Sequence, residues 1–321
     1  MRNLQSAIVT CALLLALCIS AQAQPAKKVF RVGILENVAS PRTEAFRQGM
    51  RELGYVEGQN ISVEARFGPD ERLFGLATEL VKLNVDVIFA PNTNAIQAAK
   101  KATRTIPIVM AVPSDAIGSG FVASLARPGG NITGLTSIFA EVSAKRLELF
   151  KEALPKLTRV AVLADSSRPW HSSVVRALEE SARSLRMMLQ IIEVQRAEDL
   201  AHASSSITRH RAEALFLAPN PVFFVERKKL ADFAAQYRLP SNCVSAEFAA
   251  AGCLIAYGAD SADLYRRAAT YTDKILKGTK PADLPVEQPT KFEFVINLKT
   301  DKQIGLTIPP NVLARADKVI R

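Results

Sequence analysis

The chain has 321 residues, 48% of them hydrophobic, with 41 Lys and Arg against 31 Asp and Glu and a formal net charge of +10. Such an excess marks a nucleic-acid or anionic-surface partner only where cations are massed. Here Arg47, Arg51, Lys82, Lys100, Arg183 and Lys274 stand singly on predicted helix faces, with no block of five or six, which speaks for a solvated surface and against nucleic-acid binding.

The first element is a leader. Arg2 supplies a positive start, Ala7 to Ile19 is apolar but too short to span a bilayer, and Ser20-Ala21-Gln22-Ala23 ends in an Ala-x-Ala cleavage pattern. A secretory signal removed after Ala23 (residues 1–23) is expected, and with it a periplasmic location. Lipidation at Cys18 is the minor reading, because Leu17 stands where lipoprotein processing prefers Gly, Ala or Ser. No later apolar run reaches the ~20 residues of a membrane helix, and the ~300 residues that remain suit two lobes better than one core. Cys11 and Cys18 leave with the leader; Cys243 and Cys253 either form a disulfide, which an oxidising compartment would preserve, or sit as two small buried side chains on neighbouring strands. Without a C-x-x-C pattern neither reading predicts a redox site.

Strand and helix patterns then alternate. Val29 to Leu35 predicts a buried strand, and Ser40-Pro41 opens a helix carrying Phe46, Met50 and Leu53 on one face, closed by Gly54. Ile61, Val63, Ala65 and Phe67 alternate as a half-buried strand. Leu73, Leu76, Leu80 and Leu83 give the period of a helix over 72–83, with Asn84 at its end, followed by strand Val85 to Ala90, a helix from about Asn94 to Thr103 and strand Ile106 to Val112. A second series restarts after Pro128-Gly129-Gly130: strand 160–164, helix 172–185, strand 189–194, helix 197–209, strand 214–218, helix Phe223 to Tyr237, and apolar runs near Cys243 and Leu254. Two successive β-α-β-α series predict an α/β protein with two doubly wound, mostly parallel sheets.

In open parallel sheets, ligands sit beyond the carboxyl ends of the strands, where helix N-termini present unpaired N–H groups. The residues following each predicted strand are mainly small and polar: 36–41, 91–94, 113–115, 136–137, 165–171, 219–221, 245–248 and 257–258. That composition suits hydrogen-bond recognition of a small molecule.

Three phrases carry a resemblance: FRQGMRELGYVEGQNISVEAR, IPIVMAVPSDAIGSGFVASLARPGGNITGLTS and LPVEQPTKFEFVINLKTDKQIGLTIPPNVLARADKVI. From about Val29 to the C-terminus the chain resembles the ABC-transporter substrate-binding family that includes tryptophan and tyrosine binders. The resemblance implies a type I periplasmic-binding-protein fold of two Rossmann-like lobes joined by a crossover-strand hinge, lobe 1 from 29–137 plus about 258–286 and lobe 2 from about 138–257 plus 287–321. It implies an amino acid or related metabolite held in the cleft and delivered to a separate membrane permease. A monomer with no cofactor, no metal and no catalytic residue is expected.

The resemblance also suggests who meets the ligand. Thr93 and Asn94, at a helix start, would face a carboxylate. Asp115 either accepts from an ammonium or caps its own turn, and stands in Asp-Ala-Ile where the family often has Asp-Pro-Val. Ser137 would bond from the hinge. Trp170 is either an aromatic lid or packing within its own lobe. Asn220 replaces an Asp common in relatives, Glu247 is either the missing anion or solvent-exposed, and Tyr257 is expected to end a strand at the border of the cleft. The first loop departs from the Ser-rich forms of relatives, so Glu36 and Arg42 are candidates for altered selectivity.

Other functions fit less well. Gly118-Ser119-Gly120-x-x-Ala123 matches a dinucleotide pattern, but five residues separate it from the preceding strand, whereas pyrophosphate must meet the helix start directly. There is no G-x-S-x-G elbow, H-E-x-x-H or Walker loop, and His171, His202 and His210 are scattered. A regulator of the same architecture would carry an N-terminal helix-turn-helix where this chain carries a leader. A sensor that presents liganded lobes to a membrane receptor remains an alternative to transport.

Overall fold

The computed structural model describes residues 28–321 except 169, 197 and 210. The predicted leader and its cleavage site, and His210, lie outside the described residues. No helix among the described residues is long and apolar enough to cross a membrane.

The first sheet is built from β1 (Phe30–Glu36), β2 (Ile61–Phe67), β3 (Val87–Phe89), β4 (Ile108–Met110) and β5 (Ile132–Gly134), all parallel in the order β2-β1-β3-β4-β5. The helices between them are α1 (Pro41–Glu52), α2 (Asp70–Lys82) and α3 (Thr93–Ala102). Local chemistry accounts for their ends. The Ser40 hydroxyl accepts from the Thr43 N–H while the Thr43 hydroxyl accepts from the Ser40 N–H, so two orphan donors at the start of α1 are satisfied reciprocally. Asn92 caps α3 by accepting from the Ala95 N–H. Gly54 ends α1 with φ +86°, a conformation without steric cost only for glycine.

The second sheet holds β6 (Arg159–Ala164), β7 (Met188–Glu193), β8 (Ala214–Leu217), β9 (Ser241–Cys243), β10 (Ile255–Ala259), β11 (Phe292–Asn297) and β12 (Lys318–Ile320), in the order β12-β11-β10-β9-β8-β6-β7. Only β10 and β11 run antiparallel. Its helices are α4 (Phe139–Ala153), α5 (His171–Ser184), α6 (Asp199–Arg209), α7 (Pro221–Val225), α8 (Arg227–Gln236) and α9 (Ala246–Ala251). Helix α10 (Ser261–Leu276) follows β10, and α11 (Leu298–Ile304) and α12 (Pro310–Leu313) follow β11. The two mostly parallel sheets are those the alternating pattern predicts.

The chain passes between the sheets three times: from β5 into α4, from β10 into α10, and from Glu287 into β11. Helix α10 returns to the first sheet, where Leu264, Tyr265 and Ala268 join Val32, Phe46 and Phe89 in one core, with Phe46 and Phe89 stacked at 4.0 Å. Glu287 lies against β5: its N–H donates to the Gly134 carbonyl and its carbonyl accepts from the Thr136 N–H. Each sheet has apolar clusters of its own on its two faces.

One detail differs from expectation, and one alternative left open is decided. The helix predicted over 223–237 is two helices, α7 and α8, broken at Glu226 (φ −88°, ψ 11°). Periodicity runs through the break because Phe223, Leu230 and Ala234 all pack into the same core. Cys243 and Cys253, left open by the sequence, are joined as a disulfide between the end of β9 and the turn before β10, both fully buried.

Candidate functional site

The carboxyl ends of the two sheets face one another across a cavity of about 230 Å³. From the first sheet, Glu36 ends β1, Ser40 and Arg42 begin α1, Asn92, Thr93 and Asn94 begin α3, and Ser114 follows β4. The opposite wall is mainly apolar, with Phe139 from α4, Trp170 before α5, Phe224 from α7 and Phe248 from α9, beside the polar Asn220 and Ser245. Tyr265 of α10 closes the side between them.

The polar wall is internally braced. The Thr93 hydroxyl accepts from the Ser114 N–H at 3.1 Å and lies 3.2 Å from the Ser114 hydroxyl. Asn37 and Asn94 donate to the two oxygens of Asp70, each at 2.7 Å, which ties the loops after β1 and β3 together. On the apolar wall, Trp170 Nε1 donates to the Pro219 carbonyl at 3.1 Å and its ring meets Phe139 edge to face at 6.3 Å. Trp170 therefore both packs into its own half and shows a face to the cavity. Asn220 caps α7, accepting from the Val222 N–H at 2.9 Å, and donates to the Val194 carbonyl at 3.2 Å.

Of the predicted ligand-binding residues, the structure brings Thr93, Asn94, Trp170 and Asn220 together around this cavity. Glu247 lines a smaller neighbouring pocket of about 140 Å³ with Ser245, Gly258, Asp260 and Glu293. Asp115, Ser137 and Tyr257 do not line the cavity. Asp115 Oδ1 accepts from the N–H groups of Ile117 and Gly118, capping its own turn. Ser137 is buried at the hinge, where its N–H donates to the Pro113 carbonyl. Tyr257 sits in the middle of β10 and not at its end, stacked on Phe292 and edge-on to Phe294.

Lining residues that the sequence reading did not single out include Phe139, Phe224 and Tyr265, whereas Ser114 falls in the post-strand stretch 113–115. For Phe224 a signal existed. Phe223 and Phe224 are adjacent on a helix, about 100° apart, so with Phe223 fully buried in the core Phe224 stands partly buried at its edge, where it also lines the cavity. For Tyr265 none existed, since it lies 229 residues from the side chain it touches.

That side chain is Glu36, only 6% exposed although it borders the cavity. Its carboxyl oxygens accept from the Thr43 hydroxyl at 2.6 Å and the Tyr265 hydroxyl at 2.7 Å. Burial pushes the carboxyl above its ordinary value, while the two hydroxyl bonds and the nearby Arg42 pull it back. A carboxyl whose value is raised on folding favours the folded state below its unfolded value and loses that contribution as pH rises through the folded one. Wild-type protein without ligand is therefore expected to lose stability relative to Glu36→Gln as pH rises from about 4 toward neutrality. Urea unfolding at several pH values checks this; parallel curves would contradict it.

Arg42 reaches across the gap. Its guanidinium lies 4.4 Å from the centre of the Phe224 ring, and Nε is 3.9 Å from the Glu247 carboxylate. Arg168 and Asp70 approach to 3.9 Å elsewhere between the two halves. At that length these ion pairs are weak, and the cation–π contact is worth roughly 0.5–2 kcal/mol.

The family of ABC transporter substrate binding proteins matches residues 32–320 of this sequence. The chain belongs to that family. It is 26% identical over 286 residues to a tyrosine-binding protein of Clostridioides difficile, covering 87% of this chain and 82% of that one. A Vibrio cholerae conserved domain protein of known structure superposes with a TM-score of 0.85, at 27% identity over 91% of this chain and all of that one. An ABC domain from Streptococcus pneumonia, solved in complex with L-Trp, gives a TM-score of 0.84 at 24% identity over 91% of this chain and 99% of that one. The architecture is thus the type I periplasmic-binding-protein fold, and as a member of this family the chain captures a solute for an ABC transporter.

Proposed function

We propose that the exported protein captures an amino acid with an apolar or aromatic side chain between two lobes and hands it to a membrane permease, without catalysis, cofactor or nucleic-acid partner and as a monomer. Lobe 1 comprises 29–137 with about 258–286, and lobe 2 comprises about 138–257 with 287–321. The observation that carries the reading is the division of the cavity into a polar wall of helix starts and an aromatic wall. The N-terminus of α3, with the Thr93 hydroxyl, suits a carboxylate, because its first N–H groups lack helical partners. Phe139, Trp170, Phe224 and Phe248 suit an apolar body. The tyrosine-binding and L-Trp-complexed relatives support the same class of ligand.

Closure supplies the mechanism. A ligand touching both walls binds the closed form better than the open one and shifts the population toward it. Micromolar capture needs about 8 kcal/mol net, within reach of a small molecule enclosed by apolar walls and a few polar anchors.

The test uses the chain's single tryptophan. Because Trp170 lines the cavity, at least one L-amino acid in a metabolite panel is expected to give a saturable change in intrinsic fluorescence and to raise Tm. At 100 times Kd the stabilisation is about 2.7 kcal/mol. A panel of amino acids and related metabolites in which none raises Tm would remove the basis for a delivery role.

A further inference from the structure

We propose that Glu36 is the ammonium-binding residue of this cleft and makes the protein selective for solutes that carry a primary amine beside their carboxylate. The inference rests on the reading of the cavity as an amino-acid site and adds to it the residue that recognises the amine.

Among the described residues that line the cavity, two carry charge, Glu36 and Arg42. Other anions near the site are occupied elsewhere. Asp115 caps its own turn, Asp70 holds Asn37 and Asn94, and Glu247 lies in the neighbouring pocket facing Arg42. Asn220 is neutral and has both ends of its amide engaged with backbone groups.

Glu36 differs from these in three respects. It ends an interior strand, so its backbone is fixed on the β2 side, where it pairs with Phe67 and its carbonyl accepts from the Gly68 N–H. Each carboxyl oxygen takes one hydroxyl donor, from Thr43 and from Tyr265, at distances typical of bonds to an ionised carboxylate. A carboxylate oxygen has two acceptor positions, so one on each oxygen remains for a further donor. Finally, both partners are uncharged, and Arg42 directs its guanidinium to the Phe224 ring and Glu247. The buried negative charge thus has hydrogen bonds but, among the described residues, no ion pair: Arg42 acts on it only from a distance, and burial raises the carboxyl. A ligand ammonium supplies the directly paired cation.

Both orienting residues belong to the first-sheet side. Thr43 is held by the Ser40 N–H, and Tyr265 is packed against Phe89 at 5.4 Å. The amine is therefore recognised by one wall alone, before the aromatic wall encloses the side chain. Removing one partner of a buried, hydrogen-bonded charge pair costs a binding site about 30-fold or more in affinity.

The experiment compares matched pairs by calorimetry and Trp170 fluorescence: L-phenylalanine, L-tyrosine and L-tryptophan against 3-phenylpropionate, 3-(4-hydroxyphenyl)propionate and indole-3-propionate. The expected result is that wild type binds at least one amino acid about 30-fold or more tighter than its des-amino partner, and that Glu36→Gln brings the two close to equal mainly by weakening the amino acid. Retained binding of the des-amino acid by the variant shows an intact cavity. Should the variant fail to fold, the wild-type comparison decides by itself. Equal weakening of both members would make Glu36 a purely structural residue and overturn the proposal. Wild type binding the des-amino acids as tightly as the amino acids would overturn it while leaving solute capture in place. If neither set binds but another solute raises Tm, the proposal falls and capture stands; if no solute does, both fall.

Discussion

Arg146→Ala is expected to destabilise the protein by about 3–5 kcal/mol, the scale for breaking a buried charged network. Arg146 is completely buried, the largest side chain so placed, and comes from the middle of α4. Its Nε donates to Asn242 Oδ1 at 2.9 Å, and one terminal nitrogen donates to the carbonyls of Leu217 at 2.8 Å and Asn242 at 3.0 Å. The Asn242 amide returns a bond to the Arg146 carbonyl, and the guanidinium lies 4.2 Å from the Phe216 ring. Its other terminal nitrogen, Nη1, has no hydrogen-bond partner among the described residues, and desolvation lowers its pKa to about 9. The arginine clips the ends of β8 and β9 together, two residues before Pro219 and Val244 bring the chain to the cavity. Alanine would leave three acceptors without a donor and open a void. Arg146→Met keeps most of the bulk and removes the desolvated charge, so its loss should be smaller than that of alanine. Urea midpoints rank the two; an alanine variant with the wild-type midpoint would show that the network contributes nothing net. Ligand affinity should fall in step, because the strand ends then lose their clip.

Gly258→Ala is the second large effect, acting through backbone collision. A Cβ on Gly258 would stand 2.0 Å from the Val244 carbonyl oxygen and 3.1 Å from its carbon. Neither atom is the tip of a flexible side chain, so the strand must move. Val244 precedes Ser245 on the cavity wall, and Gly258 lies in β10 where the chain turns toward α10. Overpacking of this kind costs about 1–3 kcal/mol, and the displaced loop should weaken ligand binding tenfold or more. Gly75→Ala is the matched control. A Cβ there meets nothing within 4 Å and the residue sits inside α2, so the change should stabilise by about 0.5–1 kcal/mol and leave affinity unaltered. Equal behaviour of the two variants in thermal melts and ligand titrations would contradict the close-approach argument.

Much of the architecture was legible because it is written in local periods. Ser40-Pro41 opening a helix, Gly54 closing it, and Asn84 ending another with φ +52° are choices made over a few residues by capping and by tolerance of left-handed backbone. Thr93, Asn94, Trp170 and Asn220 lie at the cavity because a general rule places ligands after the strands, and the family resemblance singled them out within those stretches. The same rule nominated Asp115 and Tyr257, whose side chains turn into their own turn and their own lobe. Position after a strand says where a residue is, not which way its side chain leans.

What the sequence by itself determined is the run of amphipathic helices and buried strands, their caps and turns, and hence two α/β sheets with their polar loops at one end. These follow from hydrophobic period and backbone sterics, which act between near neighbours. Only the tertiary structure decided that Tyr265 meets Glu36, that Arg42 lies over Phe224 and that Arg146 is buried under β8 and β9. On a helix drawn alone Arg146 is one more surface cation, and Glu36 one more strand end. Their pairings depend on how separate elements pack, and the free energy of a buried charge is set by neighbours that no local pattern names.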